Sequence, residues 1–324
     1  MSSNNWNTRL RSACAILLLT TGAAHAAGFP TQPITLVLPF GNGGSLDTTA
    51  RLLARGMQER LGQPVIVESK TGASGTIAIN YVHRAKPDGY TLAVGTTNLF
   101  SYPQSVLPGR TYDPVADFEP ISGLYRSDLA IIVPENSPIK TMADLVAAAK
   151  RDPGKLNYAS YGVATTTHFC MEEFERRTGT SMTHVPYRTA PTLDVVAGRI
   201  DVSCDVITPI IPLLKSNRVR TLGVTAETRS SFLPDVPTVA EQGFPGFSVF
   251  TWSAVMAPKG TPPEVVRKLN ETITAVIRTP EFQAQARSLS VEPWATSPQE
   301  LADFIKKETT KWQQLVTEAN IKLD

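Results

Sequence analysis

Apolar and polar positions follow two periods along the chain, and the change from one period to the other falls at loops of small residues. The run Ile34–Leu38 is mostly apolar and predicts a buried strand. Apolar residues then recur at helical spacing over residues 46–61, and Gly62-Gln63-Pro64 ends that predicted helix. Two more strands, at residues 65–67 and 90–94, with a helix at residues 77–85 between them, continue the alternation.

The same alternation is predicted for the rest of the chain. After a strand at residues 129–133, Thr141 and Asp144 have the spacing of a capping box, so a helix is expected to begin there. Further strands are predicted at residues 156–160, 182–185, 200–204, 219–224 and 248–257, and helices at residues 168–177, 192–197, 209–215, 262–278, 280–289 and 298–319. This order of elements predicts an α/β protein whose mainly parallel sheets are covered by helices on both faces.

The predicted elements form two lobes. The tail after residue 248 contains too little strand to make a domain, so we expect it to pack on the first half of the chain. Two crossover segments, near Tyr125 and near Val249, would then join lobe 1 (residues 27–125 and 249–324) to lobe 2 (residues 126–248). Ligands of open α/β sheets bind beyond the carboxyl ends of the strands, which predicts a ligand cleft between the lobes.

The first 26 residues are typical of a secretory signal peptide. Arg9 and Arg11 precede an uncharged, mostly apolar run over residues 12–24, and Ala24-His25-Ala26 has the small residues of a cleavage site. We predict cleavage after Ala26 and export to the periplasm. The apolar run is too short to span a bilayer.

Composition excludes some classes of function. The chain has 31 lysine and arginine residues and 29 acidic ones, and removal of Arg9 and Arg11 leaves 29 of each, so the mature chain is formally neutral. The two signs are interspersed, which argues against a nucleic-acid binder. No spacing of histidine, cysteine or carboxylate residues resembles a zinc or calcium site, so neither a metal nor another cofactor is expected.

Two cysteines, Cys170 and Cys204, remain in the mature chain. An oxidising compartment permits them to form a disulfide. Their predicted positions, in a helix and in an apolar strand, favour free buried cysteines instead. The sequence leaves both alternatives open.

A glycine loop between the first strand and the first helix is the main candidate for binding chemistry. Gly41, Gly43 and Gly44 let the backbone come close to a ligand, and the helix that follows offers unpaired N–H groups and a partial positive charge. A carboxylate or a phosphate suits such a site. Leu46 stands where a dinucleotide-binding loop has its third glycine, and no P-loop lysine follows, so nucleotides are disfavoured. By itself the loop is also compatible with a simple connector.

Several segments together resemble one family. In the first half they are ITLVLPFGNGGSLDTTARLLA at 34–54, LGQPVIVESKTGASG at 61–75, KPDGYTL at 86–92 and YDPVADFEPIS at 112–122. In the second half they are PGKLNYASYG at 153–162, HVPYRTAP at 184–191, LPDVPTVAEQGFPGF at 233–247 and APKGTPPEVVRKLN at 257–270. In this order and spacing the chain resembles the receptors of tripartite tricarboxylate transporters, the TctC-like or Bug extracytoplasmic solute receptors.

The resemblance implies a two-lobed periplasmic binding protein fold of type II, with two crossovers. Such a receptor closes over a small carboxylate and delivers it to membrane components of a transporter. The family's binding loops map onto a set of positions from both lobes: Phe40, Asn42, Gly43, Gly44, Ser45, Asp47, Ser74, Gly75, Thr96, Thr97, Asn98, Tyr161, Thr165, Thr166, Thr167, His168, Tyr187, Arg188 and Asp205. The chain departs from the family at Gly41-Asn42 and at residues 163–167, and both changes bear on the choice of ligand.

Some of these positions keep two interpretations. Arg188 is suited to clamp a carboxylate with its planar fork, or it is a solvated loop arginine. Asp205 is a ligand acceptor or a support for neighbouring groups, and His168 is a ligand donor or a packed histidine.

The leading hypothesis is a monomeric receptor for an organic mono- or dicarboxylate, with aromatic acids among the candidates. A sensor that reports the same ligand to a two-component system is the alternative. An enzyme is disfavoured because the GxSxG motif is absent and the histidines lack a convincing serine or cysteine partner.

Overall fold

The structure is a computed structural model, and it describes residues 28–41, 43–187 and 191–322. The strands in these ranges are β1 (Ile34–Leu38), β2 (Val65–Ser69), β3 (Thr91–Thr96), β4 (Phe118–Pro134), β5 (Asn157–Ser160), β6 (Thr183–Pro186), β7 (Val202–Val206), β8 (Val219–Val224), β9 (Phe250–Pro258) and β10 (Glu292–Pro293). The helices are α1 (Ser45–Leu61), α2 (Thr76–His83), α3 (Thr97–Ser101), α4 (Met142–Arg151), α5 (Thr166–Thr178), α6 (Thr192–Val196), α7 (Ile207–Lys215), α8 (Pro263–Ile277), α9 (Pro280–Ser288) and α10 (Pro298–Glu318).

Two sheets share the long strand β4. In the first sheet the order is β2-β1-β3-β9-β4, and β10 pairs with β4 as well. In the second sheet β4 pairs with β8 and β7, and the order continues through β5 to β6. Residues 118–128 of β4 pair with β9, whereas Leu129 and the residues after it pair with β7 and β8. This one strand therefore carries the chain from the first sheet into the second.

The predicted α/β class is confirmed, and the strand directions add detail to it. The pairs β1–β2, β1–β3, β5–β6 and β5–β7 are parallel, as the alternation of strands and helices predicted. The pairs that involve β4 or β9 are antiparallel. The expectation of mainly parallel sheets therefore holds among β1, β2 and β3 and among β5, β6 and β7. It does not hold for the pairs with β4 or β9, because there the chain crosses between sheets and returns.

The last helix packs on the cores of both sheets. Leu301 and Ile305 belong to a cluster with β3 and β9, whereas Trp312 and Leu315 belong to the cluster built on β4, β5, β7 and α5. The tail is predicted to pack on the first half of the chain, and α10 packs on the second sheet as well. The residue boundaries proposed for the two lobes stay a prediction.

Local signals placed most helix ends correctly. Thr141 and Asp144 form the predicted capping box of α4, and α1 ends at Gly62 in the left-handed conformation, with φ 67°. The strand predicted at residues 90–94 extends two residues further, because β3 continues to Thr96 and α3 begins directly at Thr97. Among the described helices, none combines the length and the apolar composition that are needed to cross a membrane.

Cys170 on α5 and Cys204 on β7 form a disulfide, with their Cα atoms 6.3 Å apart. The sequence had favoured free cysteines, and that interpretation is wrong. Both residues are buried where α5 lies against the sheet, so the burial inferred from their predicted elements holds, while the pairing depends on how α5 packs on β7. The bond closes a loop of 34 residues between helix and strand.

We expect the double variant Cys170→Ala/Cys204→Ala to lose roughly 3–4 kcal/mol of unfolding free energy, because the unfolded chain regains the entropy of a loop of this length. Urea denaturation of the oxidised and reduced protein measures the difference. A reductant should destabilise the natural chain and leave the double variant unchanged. Equal stability of the oxidised natural chain and the variant would contradict the prediction.

Candidate ligand-binding site

Three loops of the first sheet meet at Gly75. Its backbone has φ 94°, and a Cβ atom there would lie 2.8 Å from Pro39 Cβ and 3.0 Å from Leu99 Cδ1. Pro39 follows β1, Gly75 follows β2 and Leu99 lies on α3 after β3. A side chain at this position would collide with both neighbours, so glycine is what allows the loops after the three parallel strands to come together. Predicted site residues from three separate segments therefore share one edge of the sheet.

The first turn of α1 is open for an anion. Gly44 is the N-cap residue, with φ −79° and ψ 171°, and no side chain caps the helix. A Cβ atom built at Gly43 or Gly44 would meet no atom within 4 Å beyond its chain neighbours. The unpaired N–H groups of the turn and the helix dipole both favour a negatively charged ligand there.

Asp47, in that same turn, holds the loop in shape. Its carboxylate accepts hydrogen bonds from the Gly43 N–H at 3.0 Å and from Arg51 Nε at 2.8 Å. Burial alone would favour the neutral acid, but these hydrogen bonds and the charge of Arg51 keep the pKa of Asp47 below its ordinary value. Both oxygens thus have partners within the protein, so Asp47 positions the loop that precedes the open helix.

The second and third loops are linked by side chains. Asn98 Nδ2 donates to the Ser74 carbonyl at 3.5 Å, and Thr96 Oγ1 donates to Asn98 Oδ1 at 2.7 Å. Thr97 is buried, and its hydroxyl accepts from the N–H of Trp252 on β9 at 2.8 Å. Ser74 and Asn98 therefore remain near the loop surface, whereas Thr97 fastens α3 to the sheet.

In the second sheet, the loop before α5 satisfies many of its own polar groups. Thr165 caps the helix by accepting from the His168 N–H, and its hydroxyl also donates to the Gly162 carbonyl at 2.8 Å. Thr167 Oγ1 accepts from the Tyr161 N–H at 3.1 Å. Together these hydrogen bonds make the loop a hydrogen-bonded unit.

The hydroxyl of Thr166 contacts the other half of the molecule. Tyr102, which directly follows α3, has its hydroxyl oxygen 2.6 Å from Thr166 Oγ1. The Tyr102 ring is fully buried and packs on Phe169 and on Trp312, with ring centroids 4.6 and 5.5 Å away. Sequence reasoning missed Tyr102, because no motif marks it and its position beside α5 arises only from tertiary packing.

His168 lies in the interior. Its Nδ1 accepts from the Ala164 N–H at 3.1 Å, its Nε2 is 3.2 Å from Glu172, and its ring stacks on His184 at 4.1 Å. Burial and the neighbouring His168 lower the pKa of His184 to about 4. Both ring nitrogens of His168 are engaged, so the structure favours the packed-histidine interpretation.

A serine–histidine pair exists that the sequence analysis did not find. Ser160 Oγ lies 2.7 Å from His184 Nε2. Ser160 is fully buried and also bonds to the backbone of Gly162. A nucleophile must reach a substrate atom, and this hydroxyl has no exposed surface, so the pair is part of the loop's support.

Asp205 is a buried carboxyl group at the end of β7. Its Oδ2 accepts from the hydroxyls of Tyr161 at 3.4 Å and Thr192 at 3.2 Å, and its Oδ1 has no hydrogen-bond partner among the described residues. Burial raises the pKa of Asp205 to about 6, although the two hydroxyls and the N–H of Val206 oppose that shift. Asp205 thus connects two loops of the second sheet beneath their surface.

The remaining predicted residues differ in accessibility. Phe40 is 40 % exposed beside the open turn of α1, and Ser45 begins that helix. Tyr187 is partly exposed, and its hydroxyl donates to Asp194 at 2.6 Å. Asn42 and Arg188, both predicted ligand contacts, lie outside the described residues.

The loops after β1, β2 and β3, together with those after β5, β6 and β7, carry main-chain donors, hydroxyls and aromatic rings near the surface. This chemistry suits the binding of an anion through several hydrogen bonds. Within the described ranges, no group of three or more histidine, cysteine or acidic residues is arranged to hold a metal ion.

Comparisons with known proteins agree with this description. Residues 49–321 match the family model described as the tripartite tricarboxylate transporter family receptor. Over 313 residues the chain is 38 % identical to a UPF0065 protein in the tcbD-tcbE intergenic region of Pseudomonas sp. (strain P51), an alignment that covers 94 % of this chain and 92 % of the relative.

Two solved structures of similar chains carry ligands in their names. R. palustris Rpa4515 with adipate is 35 % identical, with a TM-score of 0.76, over 91 % of this chain and 99 % of that one. MatC (Rpa3494) from Rhodopseudomonas palustris with bound malate is 31 % identical, with a TM-score of 0.73, over 89 % of this chain and 100 % of that one. The fold, the loops and these similarities lead to one assignment: the chain belongs to the tripartite tricarboxylate transporter receptor family, whose members are periplasmic solute receptors.

Proposed function

We propose that this chain is a periplasmic receptor that captures a small organic mono- or dicarboxylate, aliphatic or aromatic, between two lobes. Lobe 1 comprises residues 27–125 and 249–324, and lobe 2 comprises residues 126–248. The loaded receptor delivers its ligand to the membrane components of a tripartite tricarboxylate-type transporter. Residues 1–26 act as a signal peptide that is cleaved after Ala26, and the receptor works as a monomer without a cofactor or catalytic residues.

The uncapped N-terminus of α1 is the observation on which this proposal rests. Gly44 leaves free space above the first turn, and Asp47 fixes the preceding loop from below. A ligand carboxylate in that space accepts hydrogen bonds from the backbone, and the helix dipole favours its charge. Ser74, Asn98 and the exposed ring of Phe40 lie in the loops around it and complete the lobe 1 side of the site.

The ligands named for two relatives support a carboxylate cargo. Adipate and malate are both dicarboxylates, and they are bound by chains that share more than 30 % identity with this one. Lobe 2 contributes the loop that begins at Tyr161 and, in the proposed set, Tyr187 and Arg188. Closure brings these groups to the ligand, and the ligand stabilises the closed state to the extent that it binds that state more tightly.

A thermal-shift screen of the mature protein, refolded to remove bound ligand, tests the function directly. The panel contains adipate, malate, aromatic carboxylates, tricarboxylates and acidic amino acids, with the matching amides as neutral controls. A ligand present at about 100 times its Kd adds roughly 2.7 kcal/mol of stability. Stabilisation by one class of acid and not by its amides supports the proposal. No stabilisation by any acid would contradict the carboxylate cargo.

We expect Gly44→Leu to weaken carboxylate binding by at least a hundredfold without unfolding the protein. The backbone at Gly44 suits any residue and a Cβ atom meets no neighbour, so the side chain fills the space above the helix. Gly44→Ala is the graded control and should lose less. Isothermal titration measures the affinities, and unchanged affinity in Gly44→Leu would remove this turn from the site.

The raised pKa of Asp205 predicts how stability depends on pH. The folded protein binds the proton more tightly than the unfolded chain, whose value is near 3.8, so this stabilisation is complete below 3.8 and is lost as the pH rises through about 6. Relative to Asp205→Asn, the natural chain should lose at most about 3 kcal/mol of unfolding free energy between pH 4 and pH 7. Urea denaturation at several pH values gives both curves. If the two curves of unfolding free energy against pH run parallel, the pKa of Asp205 is not raised in the folded protein and the prediction is wrong.

A further inference from the structure

A cavity of about 360 Å³ lies apart from the loops of the proposed cleft. Its walls come from the last turns of α5, from residues 304–318 of α10 and from the start of β9, with one arginine of β4. The residues that matter here are Arg126, Glu173, Phe250, Phe304, Lys307 and Glu308. None of them belongs to the predicted binding loops, and a cavity of this size holds a small organic molecule.

Arg126 is the central charged group of this cavity. The Cζ atom of its guanidinium lies 4.2 Å from the ring centroid of Trp294, 5.0 Å from that of Phe250 and 5.4 Å from that of Phe304. Its Nε is buried, and the side chain makes no hydrogen bond or ion pair with any residue that the structure describes. The aromatic rings orient the guanidinium, but they leave its N–H donors without acceptors.

Most of the other charges around the cavity are neutralised within the protein. Glu173 forms ion pairs with both Arg176 and Arg177. Glu308 accepts from Lys311 at 3.3 Å and from the indole N–H of Trp312 at 2.9 Å. These carboxylates are therefore committed to partners other than Arg126.

Five basic and four acidic residues line the cavity, so the excess is one positive charge. Lys307, like Arg126, forms no ion pair with a described residue. Glu227 also lines the cavity and is exposed. The charges of Glu227, Glu308, Asp128 and Glu292 act on Arg126, but none of these carboxylates accepts a hydrogen bond from it. A partly buried guanidinium without an acceptor is costly, and a carboxylate matches its two parallel N–H donors in a way that water does not.

We propose that this cavity is a second ligand site, which takes a small organic carboxylate with its carboxyl group on Arg126 and its apolar body against Phe250 and Phe304. Lys307 at the opening adds a second positive charge. The site is separate from the cleft at the N-terminus of α1, and its existence does not depend on the cargo of that cleft.

The test follows the indole N–H signals of ¹⁵N-labelled mature protein by NMR during a titration with benzoate. Trp294 stacks on Arg126, and the indole N–H of Trp312 donates to Glu308 in the cavity wall, so both signals report on this site. Single Trp→Phe variants assign the signals. We expect benzoate to shift both signals saturably and the neutral amide benzamide to bind at least tenfold more weakly.

Variants separate this site from the cleft. Arg126→Gln should weaken benzoate binding at least tenfold, and the exposed Lys307→Gln, which carries little risk to folding, should weaken it severalfold. Lys306→Gln, a neighbour on α10 outside the cavity lining, is the matched control and should have no effect. Gly44→Leu should leave the benzoate response intact.

Three outcomes would overturn the proposal. The first is the absence of any shift in the natural chain. The second is a benzoate affinity in both Arg126→Gln and Lys307→Gln that equals the affinity of the natural chain. The third is a response that disappears in Gly44→Leu and persists in Arg126→Gln, which would place benzoate in the cleft instead.

Discussion

The backbone pairing of β4 with two sheets is the constraint on which the rest of the structure depends. Residues 118–128 bond to β9 in the first sheet, and the residues from Leu129 onward bond to β7 and β8 in the second. A strand cannot slip by one residue without moving every side chain to the opposite face. The register of β4 therefore fixes both sheets at once, and with them the edges at which the binding loops lie.

Side chains reinforce this connection on either side of the strand. Tyr102 forms a hydrogen bond with Thr166 and packs against Phe169 and Trp312, so the residue that follows α3 meets residues of α5 and α10 in one aromatic cluster. The loop before α5 belongs to the proposed cleft, whereas the last turns of the same helix line the cavity that contains Arg126. The two proposed ligand sites thus lie at opposite ends of a single helix.

The polar groups of the molecule divide into those that the protein satisfies and those that it leaves open. Asp47, Thr165 and His168 have partners within the chain, and they hold loops in place. The first turn of α1 and the guanidinium of Arg126 have none among the described residues. Unpaired donors with free space in front of them are the groups for which a ligand contributes most, because binding replaces contacts that the fold does not supply.

Local sequence signals anticipated much of the architecture. Hydrophobic period predicted most strands and helices, because a strand and a helix each bury one face and their periods differ. The full length of β4 was missed, since its first half contains Glu119, Pro120 and Ser122, which local patterns place in a loop. The resemblance to the family identified the binding loops. Within those loops, the glycines at 43, 44 and 75 had the strongest physical argument for a role in the site.

By itself the sequence determined the α/β class, the order of its elements, the family and the glycine loop that opens α1, because each of these depends on residues close together in the chain. Only the tertiary structure decided that Cys170 pairs with Cys204 and that Tyr102 forms a hydrogen bond with Thr166. It also decided that Arg126 lies against three aromatic rings in a charged cavity. Those contacts join residues separated by dozens of positions or more, and long-range packing, which no local pattern encodes, sets their distances.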